Sequence, residues 1–244
     1  MCYVSCLIAR ELKGDRFMKI SRKQLALLAA MGMAAGFAAQ AATPAMGFFV
    51  SSKGSGKGGD LGGLKGADAL CQQLATSAGA GAGNRTWVAF LSTQGEGAVN
   101  AKDRIGNGPW YNAKGALIAQ NLADLLKLEV KINAQTALDE KGQPVPGIPL
   151  GPDGAPVAMP DLMKVEHDIL TGSQADGTAF KDAMDHTCNN WTSSTDGTAM
   201  VGHHDRISRN PGLSPWAAVH PTAGCSVEKI RPSGGTGRLY CFAK

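Results

Sequence analysis

The chain has 244 residues with 24 Lys+Arg against 20 Asp+Glu, a formal charge of +4. Its first forty-one residues hold six of the bases and two of the acids, so residues 42–244 carry 18 of each and are neutral, without the strong field of a nucleic-acid binder. Its 32 glycines are roughly twice the usual share of about 7%, and with aromatics at 6% they argue for a loop-rich fold rather than a helical bundle.

The N-terminal segment reads as an address. Met18 opens a second plausible start, and residues 1–17 look like an upstream start artefact that carries Cys2 and Cys6 with it. Lys19, Arg22 and Lys23 form a basic region, Leu25 to Ala39 an apolar one, and Ala39-Gln40-Ala41 a small-x-small cleavage pattern. We expect a secretory signal over 18–41 and a secreted or periplasmic product, one domain over 42–244. No apolar stretch reaches the ~20 residues of a membrane span. No Cys follows the apolar region closely enough for a lipid anchor.

Gly47 to Ser52 reads as a first strand, followed by a glycine-rich loop from Gly54 to Gly63. Leu64 to Ser77 has helical spacing, with Leu64, Ala67, Leu70, Cys71, Leu74 and Ala75 on one face, so Cys71 points inward. Thr86 to Thr93 is apolar almost throughout and predicts a strand buried on both faces. Asn100 to Ile105 predicts a helical turn. Trp110-Tyr111 and Leu117-Ile118 predict a hairpin with Gly115 in its turn, and Asn121 caps a short helix to Lys127. Residues 128–165 carry six prolines and predict a long surface excursion. From His167 onward, short strands alternate with Gly/Asp/Ser turns. Asp176-Gly177-Thr178-Ala179 recurs as Asp196-Gly197-Thr198-Ala199, which predicts two hairpin turns. A calcium loop would need alternating oxygen ligands that are missing here.

Four cysteines remain after the leader: Cys71, Cys188, Cys225 and Cys241. An even number in an exported chain implies disulfides, with three pairings open. A zinc site would want a C-x-x-C pair, and there is none.

The order of these segments carries a resemblance. Gly66-Ala67-Asp68 with Cys71, Trp87-Val88-Ala89-Phe90-Leu91-Ser92, Val99-Asn100-Ala101-Lys102-Asp103, Gly172-Ser173 with Asp176-Gly177, Cys188 with Trp191, Gly224-Cys225 and Leu239-Tyr240-Cys241-Phe242 follow one another. This order resembles the C-type lectin-like fold, most closely its endostatin-like variant, and a group of secreted bacterial proteins loosely labelled lectins. It covers roughly residues 46–244 outside 128–165. The resemblance implies an α+β fold: a mixed, twisted, largely antiparallel sheet, one main helix and two nested disulfides, Cys71–Cys241 and Cys188–Cys225. A Cys on the inner face of the first helix can meet one on the last strand, in agreement.

The calcium tripeptides and the Trp-Asn-Asp strand of sugar-binding C-type lectins are missing, so no metal and no cofactor is expected. Endostatin's heparin binding implies an arginine cluster, but Arg104, Arg206, Arg209, Arg231 and Arg238 are scattered among acids. His203-His204-Asp205-Arg206 is the densest polar cluster. It reads first as a polar turn whose histidines bond to backbone. As a metal site it would need a further ligand, His167 or Asp168; as a catalytic pair, a nucleophile, Ser193 or Ser194. Trp191 reads as core, whereas Trp216 and Trp110-Tyr111 lie in Gly/Pro-rich surroundings that suit exposure. The leading expectation is a non-catalytic, lectin-like module that binds a glycan or cell-surface ligand. Its loops between Cys188 and Cys225 offer Asn189, Asn190, Ser193, Ser194, His203, His204, Asp205 and Trp216. The alternatives are a protein-binding adhesion or structural domain, including an oligomer, and a hydrolase or metal enzyme built on His203, His204 and Asp205.

Overall fold

Strand β8 (Gly235–Ala243) is the axis of the fold. The computed structural model describes residues 42–153, 155–158, 160–207 and 215–244; the expected leader lies outside them. β1 (Phe48–Val50) runs antiparallel along one edge of β8, pairing Phe48 with Phe242 and Val50 with Tyr240. On its other edge, β2 (Trp87–Ala89) pairs antiparallel with Cys241 to Ala243, and β5 (Asp168–Leu170) pairs parallel with the first half of β8. β6 (Met200–His203) and the two-residue β7 (His220–Pro221) extend the sheet beyond β5, both antiparallel. The parallel β5–β8 pair makes the sheet mixed, and the architecture is α+β. β3 (Trp110–Tyr111) and β4 (Leu117–Ala119) form the separate expected hairpin, with Gly115 at φ +76° in its turn.

Side chains on a strand alternate between faces, and here both faces are buried. Phe48, Val50, Val88, Phe90, Ile169, Tyr240 and Phe242 enter one core layer. Phe49, Trp87, Ala89, Leu91, Leu170, Leu239 and Cys241 enter the other. Helix α1 (Gly63–Ala78) covers the second face with Ala67, Cys71, Leu74 and Ala75, the stripe that its 3.6-residue spacing predicts. Cys71 meets Cys241 there, and Cys188 meets Cys225. The chain-entropy relation makes the first closure worth about 5 kcal/mol and the second about 4.

Residues 128–165 are the expected surface excursion only in their second part: the described residues from 146 to 164 stay at the surface, whereas the stretch before them is drawn into the core. Val130, Ile132, Ala137 and Val145 pack into the first core layer with Trp110, Ile118 and Trp216. Val50 donates its backbone N–H to the Leu138 carbonyl at 2.9 Å, and Ser52 donates from N–H and hydroxyl to the buried Glu140 carboxylate at 3.0 and 2.6 Å. The reason is physical: a sheet apolar on both faces needs two covers, and α1 supplies one. Proline density marks irregular backbone, which can still be buried where its polar groups find partners. Trp110 and Trp216 are likewise core rather than exposed.

The two Asp-Gly-Thr-Ala segments are turns. Gly177 and Gly197 sit at φ +76° and +90°, closed by the bridges Ser173↔Ala179 and Thr187↔Ala199. Asn121 caps helix α2 (Leu122–Leu125) by accepting from the Asp124 N–H at 2.9 Å.

Candidate functional site

The register of β5, β6 and β7 gathers the polar residues of the sheet. Asp168 lies directly opposite His203, and His220 opposite Val201, two residues from His203 on the same strand. With a two-residue repeat, Asp168, His203 and His220 therefore share one face of the sheet. His167, just before β5, stacks its ring on that of His203 with centroids 4.0 Å apart. Gly234, at φ +97°, makes room: a Cβ there would stand 2.8 Å from the His167 ring.

Three imidazoles converge on one carboxylate oxygen. His167 Nε2, His203 Nε2 and His220 Nε2 lie 3.2, 3.1 and 3.6 Å from Asp168 Oδ1. His203 Nε2 and His220 Nε2 are 3.2 Å apart. Both Asp168 oxygens are buried, and His167 and His203 approach Oδ1 at hydrogen-bond distance but off the linear N–H direction, close enough to act on its ionisation. Each outer ring nitrogen faces an acceptor. His167 Nδ1 faces the Asp205 carboxylate at 3.3–3.4 Å, His203 Nδ1 the Ile207 carbonyl at 2.5 Å, and His220 Nδ1 the Pro221 carbonyl at 3.0 Å. Asp205 is fixed in turn by the N–H groups of Ile148 and Ile207 at 2.8 and 3.0 Å. His167, Asp168, His203 and Asp205 are buried, while the His220 side chain is 35% exposed and opens the cluster to solvent.

The electrostatics favour ionised carboxylates. Burial pushes Asp168 up, but His203 and His220 beside it, and the charge of His167, outweigh burial and hold it well below the usual carboxylate range. Asp205 is held down at about 2 against its burial, chiefly by His167. The Asp168 carboxylate pushes His220 up. His204 is different: burial takes it down to about 4, against the Asp205 charge and the Pro146 backbone carbonyl, which act the other way. Among the described residues, His167, Asp168 and His203 are the group whose donor atoms lie within 4.8 Å of one another, close enough to share a cation.

Of the residues expected between Cys188 and Cys225, the structure brings His203 and Asp205 into this cluster and leaves the others out. Trp216 is 3% exposed and His204 fully buried, a correction to their expected place on a binding surface. The apolar second cover needs a large ring, and Trp216 fills it. His203 closes β6 instead of lying in a polar turn. Asn189, Asn190, Ser193 and Ser194 stay on the surface 188–198 loop. Asn190 is committed to the Gln94 backbone, accepting from its N–H at 2.7 Å and donating to its carbonyl at 3.0 Å. Ser193 Oγ donates to the Asp196 carbonyl at 2.7 Å. Among the described residues, no hydroxyl bonds to an imidazole of the cluster. Nor do the arginines gather into a free basic patch: Arg104 pairs with Asp68 at 2.7 Å, and Arg231 and Arg238 both pair with Glu166. Arg209 lies outside the described residues.

His220 is the member that sequence reasoning missed. It stands alone before a proline, and only the β6–β7 register brings it within reach of Asp168.

No protein-family model matches this chain, and no curated protein sequence matches it.

Proposed function

We infer that the chain is an exported binding module of the C-type lectin-like, endostatin-like class, non-catalytic, recognising a glycan through the surface loop of residues 188–198. The observation that carries this reading is the backbone of Cys188 to Trp191. Four consecutive non-glycine residues lie at φ 48°, 53°, 53° and 69°. A left-handed conformation costs Cys188 and Trp191 roughly 1–2 kcal/mol each and the more tolerant Asn189 and Asn190 less, and strain of this kind clusters at ligand sites. It is held by the Cys188–Cys225 bond, by Asp185 accepting from the Asn189 N–H at 3.0 Å, and by the buried Trp191 indole donating to Ser92 O at 2.8 Å. The turn holds Asn189 and Thr192 exposed beside Ser194 and Thr195, a rigid set of amides and hydroxyls suited to the directional bonds of a sugar. The nested disulfides and the helix stapled to the terminal strand support the same class.

A protein partner is the second reading. It rests on the exposed apolar side chains Leu150, Val157 and Met163 of the 128–165 segment.

A glycan array probed with the oxidised protein tests the first reading. We expect binding that falls at least tenfold in an Asn189→Ala/Ser194→Ala variant of unchanged far-UV circular dichroism. An array without hits, or a variant that binds at full strength, refutes the glycan reading and turns attention to residues 150–163.

A further inference from the structure

We propose that His167, Asp168, His203 and His220 hold one nitrogen-preferring divalent transition-metal ion, zinc in the first place, as a pin across β5, β6 and β7. The proposal stands apart from the glycan reading and uses none of its residues.

The first argument is spacing. A tetrahedral zinc ion bound at 2.0–2.1 Å sets its donor atoms about 3.3–3.4 Å apart. The cluster supplies four of the six edges at 3.1, 3.2, 3.2 and 3.6 Å. An imidazole–carboxylate ion pair accounts for the nitrogen–oxygen edges singly; a shared ion accounts for all of them and for the 3.2 Å nitrogen–nitrogen edge between His203 and His220 together.

The second argument is the tautomer. Each of the three histidines directs Nδ1 at an oxygen: the Asp205 carboxylate, the Ile207 carbonyl and the Pro221 carbonyl. An N–H at Nδ1 leaves Nε2 as a bare lone pair turned inward. That is the outer-shell arrangement by which proteins orient imidazole ligands, with the Asp205–His167 pair as its carboxylate form.

The third argument is the central carboxylate. Asp168 is buried, and the three imidazole nitrogens that approach Oδ1 do so off the linear N–H direction. Hydrogen-bonded imidazolium partners would aim N–H groups at that oxygen. The nitrogens instead pack around it as fellow ligands of a common centre do.

The chemistry of the set chooses the ion. Three imidazoles and one carboxylate suit zinc and its first-row neighbours. Calcium and magnesium want six or more oxygens, and the set has one carboxylate. With four protein ligands the site is closed, as structural zinc sites are, and the half-exposed His220 is the side from which the ion enters. The ion ties the two-residue strand β7 to the sheet, where its backbone pairing alone is short.

The test is direct. The oxidised protein is stripped with a chelator, dialysed and titrated with zinc chloride by calorimetry, and in parallel with cobalt(II), whose four-coordinate complexes have intense visible bands. We expect one zinc per chain and a four-coordinate cobalt spectrum that zinc abolishes. His203→Gln and His220→Gln should each remove the spectrum. Asp205 is a positioning residue. Asp205→Asn should weaken zinc about 10–100-fold and shift the cobalt bands while leaving the far-UV circular dichroism unchanged. His186→Gln, outside the cluster, should change nothing. If His203→Gln does not fold, the rim variant His220→Gln decides. The proposal is overturned if the stripped protein takes up no stoichiometric zinc. It is equally overturned if the cobalt complex is six-coordinate, or if His220→Gln binds zinc as the parent does.

Discussion

Replacing Trp216 by Ala should nearly unfold the domain. The indole lies 4.6 Å from the Phe90 ring and 5.0 Å from that of Tyr240, and its N–H donates to the Leu125 carbonyl at 3.1 Å. Truncating a buried Trp costs about 3–5 kcal/mol, and leaving the Leu125 carbonyl unpaired adds about 1–3 kcal/mol. The sum of roughly 4–8 kcal/mol rivals the 5–15 kcal/mol that holds a typical domain. Trp216→Phe should keep most of the packing and lose mainly the hydrogen bond, about 1–3 kcal/mol. Urea denaturation followed by circular dichroism at constant oxidation state measures both. The expected order is wild type, then Phe, then Ala, with the Ala variant partly unfolded before denaturant is added. A Trp216→Ala protein within ~1 kcal/mol of wild type would place this ring outside the core and refute the second cover of the sheet.

Other outcomes follow from the same packing. Peptide mapping without reductant should show Cys71 joined to Cys241 and Cys188 to Cys225. Removing the first bond by paired Ala substitutions should cost about 5 kcal/mol against about 4 for the second; a larger loss for the second would contradict the loop-length argument. Millimolar calcium should leave Tm unchanged, because Asp176 Oδ1 is already taken by the N–H and hydroxyl of Thr178 and the histidine cluster is nitrogen-rich; a rise of several degrees would refute this. Burial pushes the Tyr240 hydroxyl well above its usual value of about 10, with the Asp205 and Asp168 charges in the same direction and Arg206 against it. The folded state thus keeps a proton that the unfolded chain releases, so this contribution is intact below pH ~10 and is lost as the pH rises further. Tyr240→Phe should lack that alkaline loss of Tm, and an identical fall in both proteins would refute the assignment.

Local elements were legible because their causes are local. Helical spacing placed Cys71 on the inner face of α1, apolar continuity marked β2 as buried on both sides, and Asp-Gly marked the turns at Gly177 and Gly197. Asn121 announced its cap. Each depends on residues within one turn or one strand of each other. The first part of the 128–165 segment misled because proline reports backbone regularity and not depth. Its Val130, Ile132 and Val145 read as isolated apolar residues until the sheet gave them a face to cover.

The site shows the same division more sharply. From sequence alone, the His203-His204-Asp205 run could be singled out as polar and dense, with His167 and Asp168 as candidate companions. Which histidine joins them could not be read, because a one-residue slip of β6 against β5 would exchange His203 for its neighbours. Tertiary pairing made that choice: it set His203 opposite Asp168, sent the His204 ring into a fully buried place outside the cluster, and brought in His220 from seventeen residues away. Composition and periodicity determine which residues are apolar, helical or turning. Register and the closing of long loops determine which side chains meet, since those depend on the whole sheet finding its lowest free energy at once.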